Sequence, residues 1–219
     1  MTFLQLGISE HLKSVLEAEN YNKVYPIQDK AIPSILKGRD ILAIAPTGSG
    51  KTAAFVLPIL TNLKGKTITS NRHVNVLVLV PTRELAIQVE QVFRLFGKSL
   101  PFPFKSFAVY GGASINPQMK SLQNVNVLVA TPGRLIELAE SNALHFSELS
   151  CLVLDEADKM LNLGFKKEVD HILSLLPTKR QNLLFSATLS PEVRKIEQLV
   201  LQNPEIIEIK SETDDLSLI

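Results

Sequence analysis

Seven short runs of apolar residues recur along the chain: Ile41–Ile44, Val76–Val80, Phe107–Tyr110, Val125–Ala130, Leu152–Leu154, Leu183–Phe185 and Ile206–Ile209. Continuous rather than alternating runs suit strands buried on both faces of a parallel sheet. Between them lie amphipathic stretches with helical spacing: Ala53–Leu63, Glu84–Gly97, Leu135–Ala139, Phe165–Leu176 and Pro191–Leu201, with two more, Glu10–Glu19 and Pro26–Leu36, before the first run. Pro33 and Pro58 fall inside two of these patterns, where a proline removes a donor and crowds the preceding turn, so unbroken helix is less secure there. Strand, helix, strand at such intervals builds βαβ units. The expected class is α/β, a mainly parallel β-sheet flanked by helices on both faces.

Composition narrows the picture. The 219 residues suffice for one substantial core, and 45% hydrophobic with 21% charged residues describe an ordinary globular chain. The single cysteine, Cys151, allows no internal disulfide, fits a reducing compartment and lies in an apolar run that suits a core side chain. No signal-like N-terminus and no apolar stretch of membrane-spanning length occurs, so a cytoplasmic protein with no membrane partner is expected. A net charge of +1 argues against binding nucleic acid mainly by counterion release. Any such contact must rest on a few placed arginines, backbone amides and helix N-termini, and should be weak.

Chemistry concentrates at the ends of the predicted strands. Ala45-Pro46-Thr47-Gly48-Ser49-Gly50-Lys51-Thr52 follows the first strand and opens a helix. Gly48 and Gly50 let successive amides curl towards one anion, and the helix presents its positive end to the same phosphates. Lys51 would reach the terminal phosphates, and the Thr52 hydroxyl would ligate Mg²⁺. Asp155-Glu156-Ala157-Asp158 ends the run at Leu154. At that position Asp155 can hold the metal shell and Glu156 can orient or deprotonate an attacking water, although an acidic cluster at a strand end can also be a plain helix cap.

A phosphate loop of this kind together with Asp-Glu-Ala-Asp resembles the DEAD-box family of ATP-dependent RNA helicases. Further motifs stand in family order: Pro81-Thr82-Arg83-Glu84-Leu85-Ala86, Gly111-Gly112, Thr131-Pro132-Gly133-Arg134 and Ser186-Ala187-Thr188. The resemblance covers about Phe3 to Ile209 and implies a RecA-like P-loop NTPase domain that takes ATP and Mg²⁺. It assigns RNA contact to Pro81, Thr82, Arg83, Gly111, Gly112, Thr131, Pro132, Gly133 and Arg134. To Ser186 and Thr188 it assigns the link between hydrolysis and unwinding.

Bland alternatives stay open at this stage. Thr82 and Thr131 can simply cap helices, Arg83 can be an internal scaffold, Gly111-Gly112 can be a turn, and Ser186 and Thr188 can cap the helix near Pro191. The segment Asn20-Tyr21-Asn22-Lys23-Val24-Tyr25-Pro26-Ile27-Gln28 resembles the family's adenine reader, with Tyr21 to stack on the base and Gln28 to pair with its edge. Asn20 stands where the family has glycine, which Asn replaces readily. Val24 and Tyr25 depart from Pro and Thr and remove a helix cap. Residues 1–39 are thus expected to read adenine and 40–209 to form the core. Residues 210–219 are expected to begin a linker to a second RecA-like domain that completes the RNA surface and the catalytic arginines. The chain is expected to be a monomer. A DNA-directed relative and a nucleotide-controlled RNA clamp are the rival readings.

Overall fold

The computed structural model describes residues 2–63 and 72–209; the expected linker, 210–219, lies outside them. Seven strands form one sheet: β1 (Ile41–Ile44), β2 (Val76–Leu79), β3 (Ser106–Val109), β4 (Val127–Ala130), β5 (Cys151–Leu154), β6 (Gln181–Ser186) and β7 (Glu205–Glu208). Their order across the sheet is β3-β4-β2-β5-β6-β1-β7. Every pairing is parallel, with β2 aligned through Val76 to Val127 on one side and to Cys151 on the other.

The helices are α1 (Lys13–Ala18), α2 (Pro26–Leu36), α3 (Lys51–Asn62), α4 (Arg83–Gly97), α5 (Ile115–Ser121), α6 (Pro132–Glu140), α7 (Ala157–Asn162), α8 (Lys166–Leu175) and α9 (Pro191–Val200). Alternate residues of each strand serve opposite faces. Val76, Val78 and Val80 join Ile41, Phe185 and the apolar faces of α2, α3 and α4. Leu77 and Leu79 join Leu42, Leu152 and Leu184 beneath α6, α8 and α9. This double burial is why the strands read as continuous apolar runs.

Helix starts follow local chemistry. The Thr82 hydroxyl accepts the Leu85 amide at 3.3 Å, and the Ser190 hydroxyl accepts that of Val193 at 3.3 Å. Pro33 and Pro58 are both retained inside helices. Helices α2 and α3 pack on one another, and this tertiary contact compensates the bond each proline forfeits. Asn20 adopts φ 58°, the left-handed backbone that its place in the sequence requires. Two helices absent from the sequence reading, α5 and α7, are only seven and six residues long.

Candidate nucleotide and nucleic-acid site

Six of the motifs singled out in the sequence lie at the carboxyl edge of this sheet, where ligands of open parallel sheets collect. Strand order rearranges them. Along the chain, the phosphate loop of β1 comes first and is separated by three strands from the acidic cluster of β5. In space, β5, β6 and β1 are neighbours, so the Asp-Glu-Ala-Asp, Ser-Ala-Thr and phosphate-loop segments form one block. Strands β3, β4 and β2 form the other, bringing together Gly111-Gly112, Thr131–Arg134 and Pro81–Arg83.

In the first block, Ala45 is buried and its amide bonds to the Ser186 carbonyl at 3.0 Å, while Pro46 and Thr47 lead into the turn. Gly50 sits at φ 91° just before α3. Lys51 folds back, its Nζ donating to the Ala45 carbonyl at 2.7 Å and the Pro46 carbonyl at 3.4 Å. Burial lowers the pKa of that ammonium, and the charges of Asp155, Glu156 and Asp158 partly offset it. The Ser49 hydroxyl is buried without a partner. An orphaned polar group inside a curled loop costs stability unless a ligand meets it.

Asp155 is 2% exposed, and burial pushes its carboxyl up to about 6 against the opposing pull of Lys51. Its Oδ1 accepts the Glu156 amide at 2.9 Å. Glu156 adopts φ 51°, ψ 47°, a left-handed backbone unusual for a side-chain-bearing residue, and its carboxylate pairs with Lys159 at 3.0 Å. From Asp158 the connection runs to β6: Oδ2 accepts the Thr188 hydroxyl at 3.1 Å, and the Ser186 hydroxyl donates to the Thr188 carbonyl at 2.7 Å. Burial alone would raise the Asp158 carboxyl, yet the Thr188 and Ala187 hydrogen bonds hold it below its ordinary value. Capping of α9 falls to Ser190, so Ser186 and Thr188 are free for this linkage.

Beside the phosphate loop is a cavity of about 310 Å³ whose walls include Tyr21, Tyr25, Gln28, Gly50 and Thr52. Gln28 is 1% exposed; its Oε1 accepts the Tyr25 amide at 2.9 Å and its Nε2 donates to the Gly50 carbonyl at 3.1 Å. Gln28 thus bonds back to the N-cap amide of α2, although Tyr25 makes no side-chain cap of its own. Each end of its amide keeps one further hydrogen-bonding position. Tyr21 is half-committed elsewhere: its ring meets Phe96 edge-on at 5.3 Å and Phe3 at 6.2 Å, with another part on the cavity.

In the second block, Thr82 caps α4 and the Arg83 guanidinium lies 4.9 Å over the Tyr110 ring. Thr131 precedes α6 without capping it; its hydroxyl accepts the Gly111 amide at 3.3 Å. Pro132 takes the first helical position of α6. Arg134, for which the sequence favours RNA contact, is only 6% exposed. Its Nη2 donates to the Ala113 carbonyl at 2.8 Å, its Nε pairs with Glu137 at 2.9 Å, and its Nη1 is buried and unpartnered. A side chain on Gly111 or Gly133 would meet no neighbour within 4 Å, and neither residue needs a left-handed backbone. Gly112, at φ 75°, does need one.

Residues 25–196 match the DEAD/DEAH box helicase family. The chain belongs to that family. All six strand-end motifs of this DEAD-box chain fall within the match, whereas Phe3 and Tyr21 precede it. It is 41% identical, over 99% of its length, to the ATP-dependent RNA helicase CshA of Limosilactobacillus reuteri, of which it spans 43%. It is 42% identical, over 96% of its length, to the ATP-dependent RNA helicase DeaD of Buchnera aphidicola, of which it spans 34%. A crystal structure of a DEAD box protein from the hyperthermophile Methanococcus jannaschii superposes with a TM-score of 0.88 at 34% identity, covering 96% of this chain and 56% of that one. The DEAD-box chain therefore spans less than half the length of these curated relatives, and its fold is the RecA-like one expected from the motifs.

Proposed function

We propose that this DEAD-box domain binds ATP with Mg²⁺ and single-stranded RNA along one sheet edge, as the nucleotide-holding part of an ATP-dependent RNA helicase. The observation that carries this reading is the sorting of that edge into a nucleotide block and a nucleic-acid block by strand order. In the nucleotide block, Lys51 and the amides of Gly48–Thr52 hold the phosphates, and the orphaned Ser49 hydroxyl is a ready donor to them. Thr52 and Asp155 offer hard oxygen donors, the set Mg²⁺ prefers, and a cation there would relieve the cost of ionising buried Asp155. When bound, the metal supplies charge neutralisation at the phosphates. Glu156 orients or deprotonates the attacking water, and the Asp158–Thr188–Ser186 linkage carries the state of the nucleotide to β6.

In the nucleic-acid block, Gly111 and Gly133 are glycines the fold does not itself require. Their bare backbones suit close approach by an RNA phosphate chain. Residues 1–39 serve as the adenine reader of a domain that runs to residue 209. The domain works as a monomer in the cytoplasm, where no helix among the described residues is long and apolar enough to cross a membrane. A second RecA-like domain in the complete protein supplies the remaining RNA contacts.

Base recognition gives the direct test. Gln28 keeps one acceptor and one donor position for the adenine amino group and N7, so the 219-residue chain should prefer ADP to GDP. Gln28→Ala should erode that preference, with only a smaller loss of affinity for inorganic triphosphate as the Gly50 carbonyl loses its donor. Equal affinity of the unmutated chain for the two nucleotides would refute the assignment.

A further inference from the structure

The activity proposed above makes no use of Gln118, which the sequence reading also passed over. It lies in α5, is 8% exposed, and spends its whole amide on one loop. Oε1 accepts the Tyr110 amide at 3.0 Å, while Nε2 donates to the Tyr110 carbonyl at 3.2 Å and to the Ser114 carbonyl at 3.3 Å. Tyr110 and Ser114 are the two shoulders of the Gly111-Gly112-Ala113 loop. Between the shoulders, Thr131 holds the Gly111 amide and Arg134 holds the Ala113 carbonyl. The ring of Tyr110 also seats the Arg83 guanidinium.

Among the described residues, Gln118 is therefore the side chain that bonds to both ends of the glycine loop and, through Tyr110, sets the place of Arg83. A flexible glycine pair would otherwise have to be ordered at the moment a ligand binds, which weakens binding. We propose that Gln118 is a positioning residue for RNA: it preforms the Gly111-Gly112 loop and sets Arg83 on Tyr110, so that the phosphate backbone meets a surface already in shape. This rests on the RNA contact assigned above to that block. No other amide-length polar side chain satisfies the same set. A leucine would leave the Tyr110 amide and carbonyl and the Ser114 carbonyl without their partner. A glutamate could still accept the Tyr110 amide but would turn a carboxylate towards two carbonyl oxygens.

The test compares the 219-residue chain with Gln118→Glu and Gln118→Leu by anisotropy of a labelled oligouridylate across a salt series, together with ADP affinity and amide exchange at Tyr110–Ala113. Both variants should lose RNA affinity by about tenfold. The slope of log affinity against log salt should become shallower as Arg83 is displaced. ADP affinity should be unchanged, and the Tyr110 amide should exchange faster. RNA affinity and salt slope equal to those of the unmutated chain would overturn the proposal and leave the RNA reading standing. A matching loss of ADP affinity would overturn it as well, because the damage would then be general. An unmutated chain that binds no oligouridylate would remove the RNA reading, and this proposal with it.

Discussion

Replacing Asp155 by asparagine should stabilise the metal-free domain and disable it. The carboxyl is buried at the end of β5, and its pKa rises from 3.8 to about 6 because burial penalises the charged form more than Lys51 rewards it. A raised carboxyl favours folding only while it can stay protonated. Its contribution is intact below the unfolded value and is lost as pH rises through about 6. Two units at about 1.4 kcal/mol each put the cost of ionising Asp155 in the fold at roughly 3 kcal/mol above that pH. Asparagine keeps the acceptor that receives the Glu156 amide and never ionises. The attraction of Lys51 is already contained in that shift, so its loss is not a separate cost. The net should be a stabilisation of about 1 to 3 kcal/mol near pH 8, fading to nothing near pH 4. Urea denaturation in the presence of a chelator, at both pH values, measures it. No gain near pH 8, or a gain equally large near pH 4, would refute the reasoning. Binding of Mg²⁺–nucleotide should fall in the same variant.

Other outcomes follow from the same geometry. Glu156→Gln should preserve nucleotide affinity and abolish hydrolysis in the complete protein, whereas Lys51→Ala should weaken binding itself; titration with labelled ADP beside steady-state ATPase separates the two. The Cys151 thiol, buried and pushed up to about 12, should react with an aromatic disulfide reagent only as fast as the domain unfolds, so rapid labelling of native protein would contradict its placement. Thr188→Val should remove a hydrogen bond to Asp158 and cost roughly 1 kcal/mol near neutral pH with nucleotide affinity unchanged, a difference that should shrink in acid as Asp158 protonates.

The inner strands were legible because burial on both faces leaves an unmistakable apolar run; the edge strands β3 and β7 are only partly buried, yet they too occur where short apolar runs stand. The phosphate loop and the acidic cluster were legible for a different reason, since their chemistry needs fixed residues at fixed spacing. Strand order was not legible. Nothing in the chain announces that β5 and β6 insert between β2 and β1, although that insertion is what joins Asp155 to the phosphate loop. Helices α5 and α7 escaped because so few turns give no periodicity to detect. Gln118 escaped with α5, and no spacing rule marks a lone glutamine. The letters of the Thr131–Arg134 motif also gave no sign that Arg134 is buried and bonded to the Ala113 carbonyl. The packing of Phe3 and Phe96 on part of the Tyr21 ring was not legible either, since it joins segments far apart in the chain, while another part of the ring lines the cavity.

The contact between Gln28 and Gly50 has a consequence for how this chain can change over generations. A methyl group on residue 50 would sit 2.5 Å from the Gln28 Nε2 and 3.3 Å from Tyr25, in a backbone of φ 91° that already disfavours any side chain. The two residues lie 22 positions apart, yet neither can drift alone. A mutation that swelled the loop would dislodge the amide proposed to read the base. A shortened Gln28 would leave the Gly50 carbonyl without its donor. Under the proposed function, selection on base reading and selection on phosphate binding therefore act on a single inherited unit. Lineages that lose the amide should show compensating change in the loop rather than an untouched copy of it.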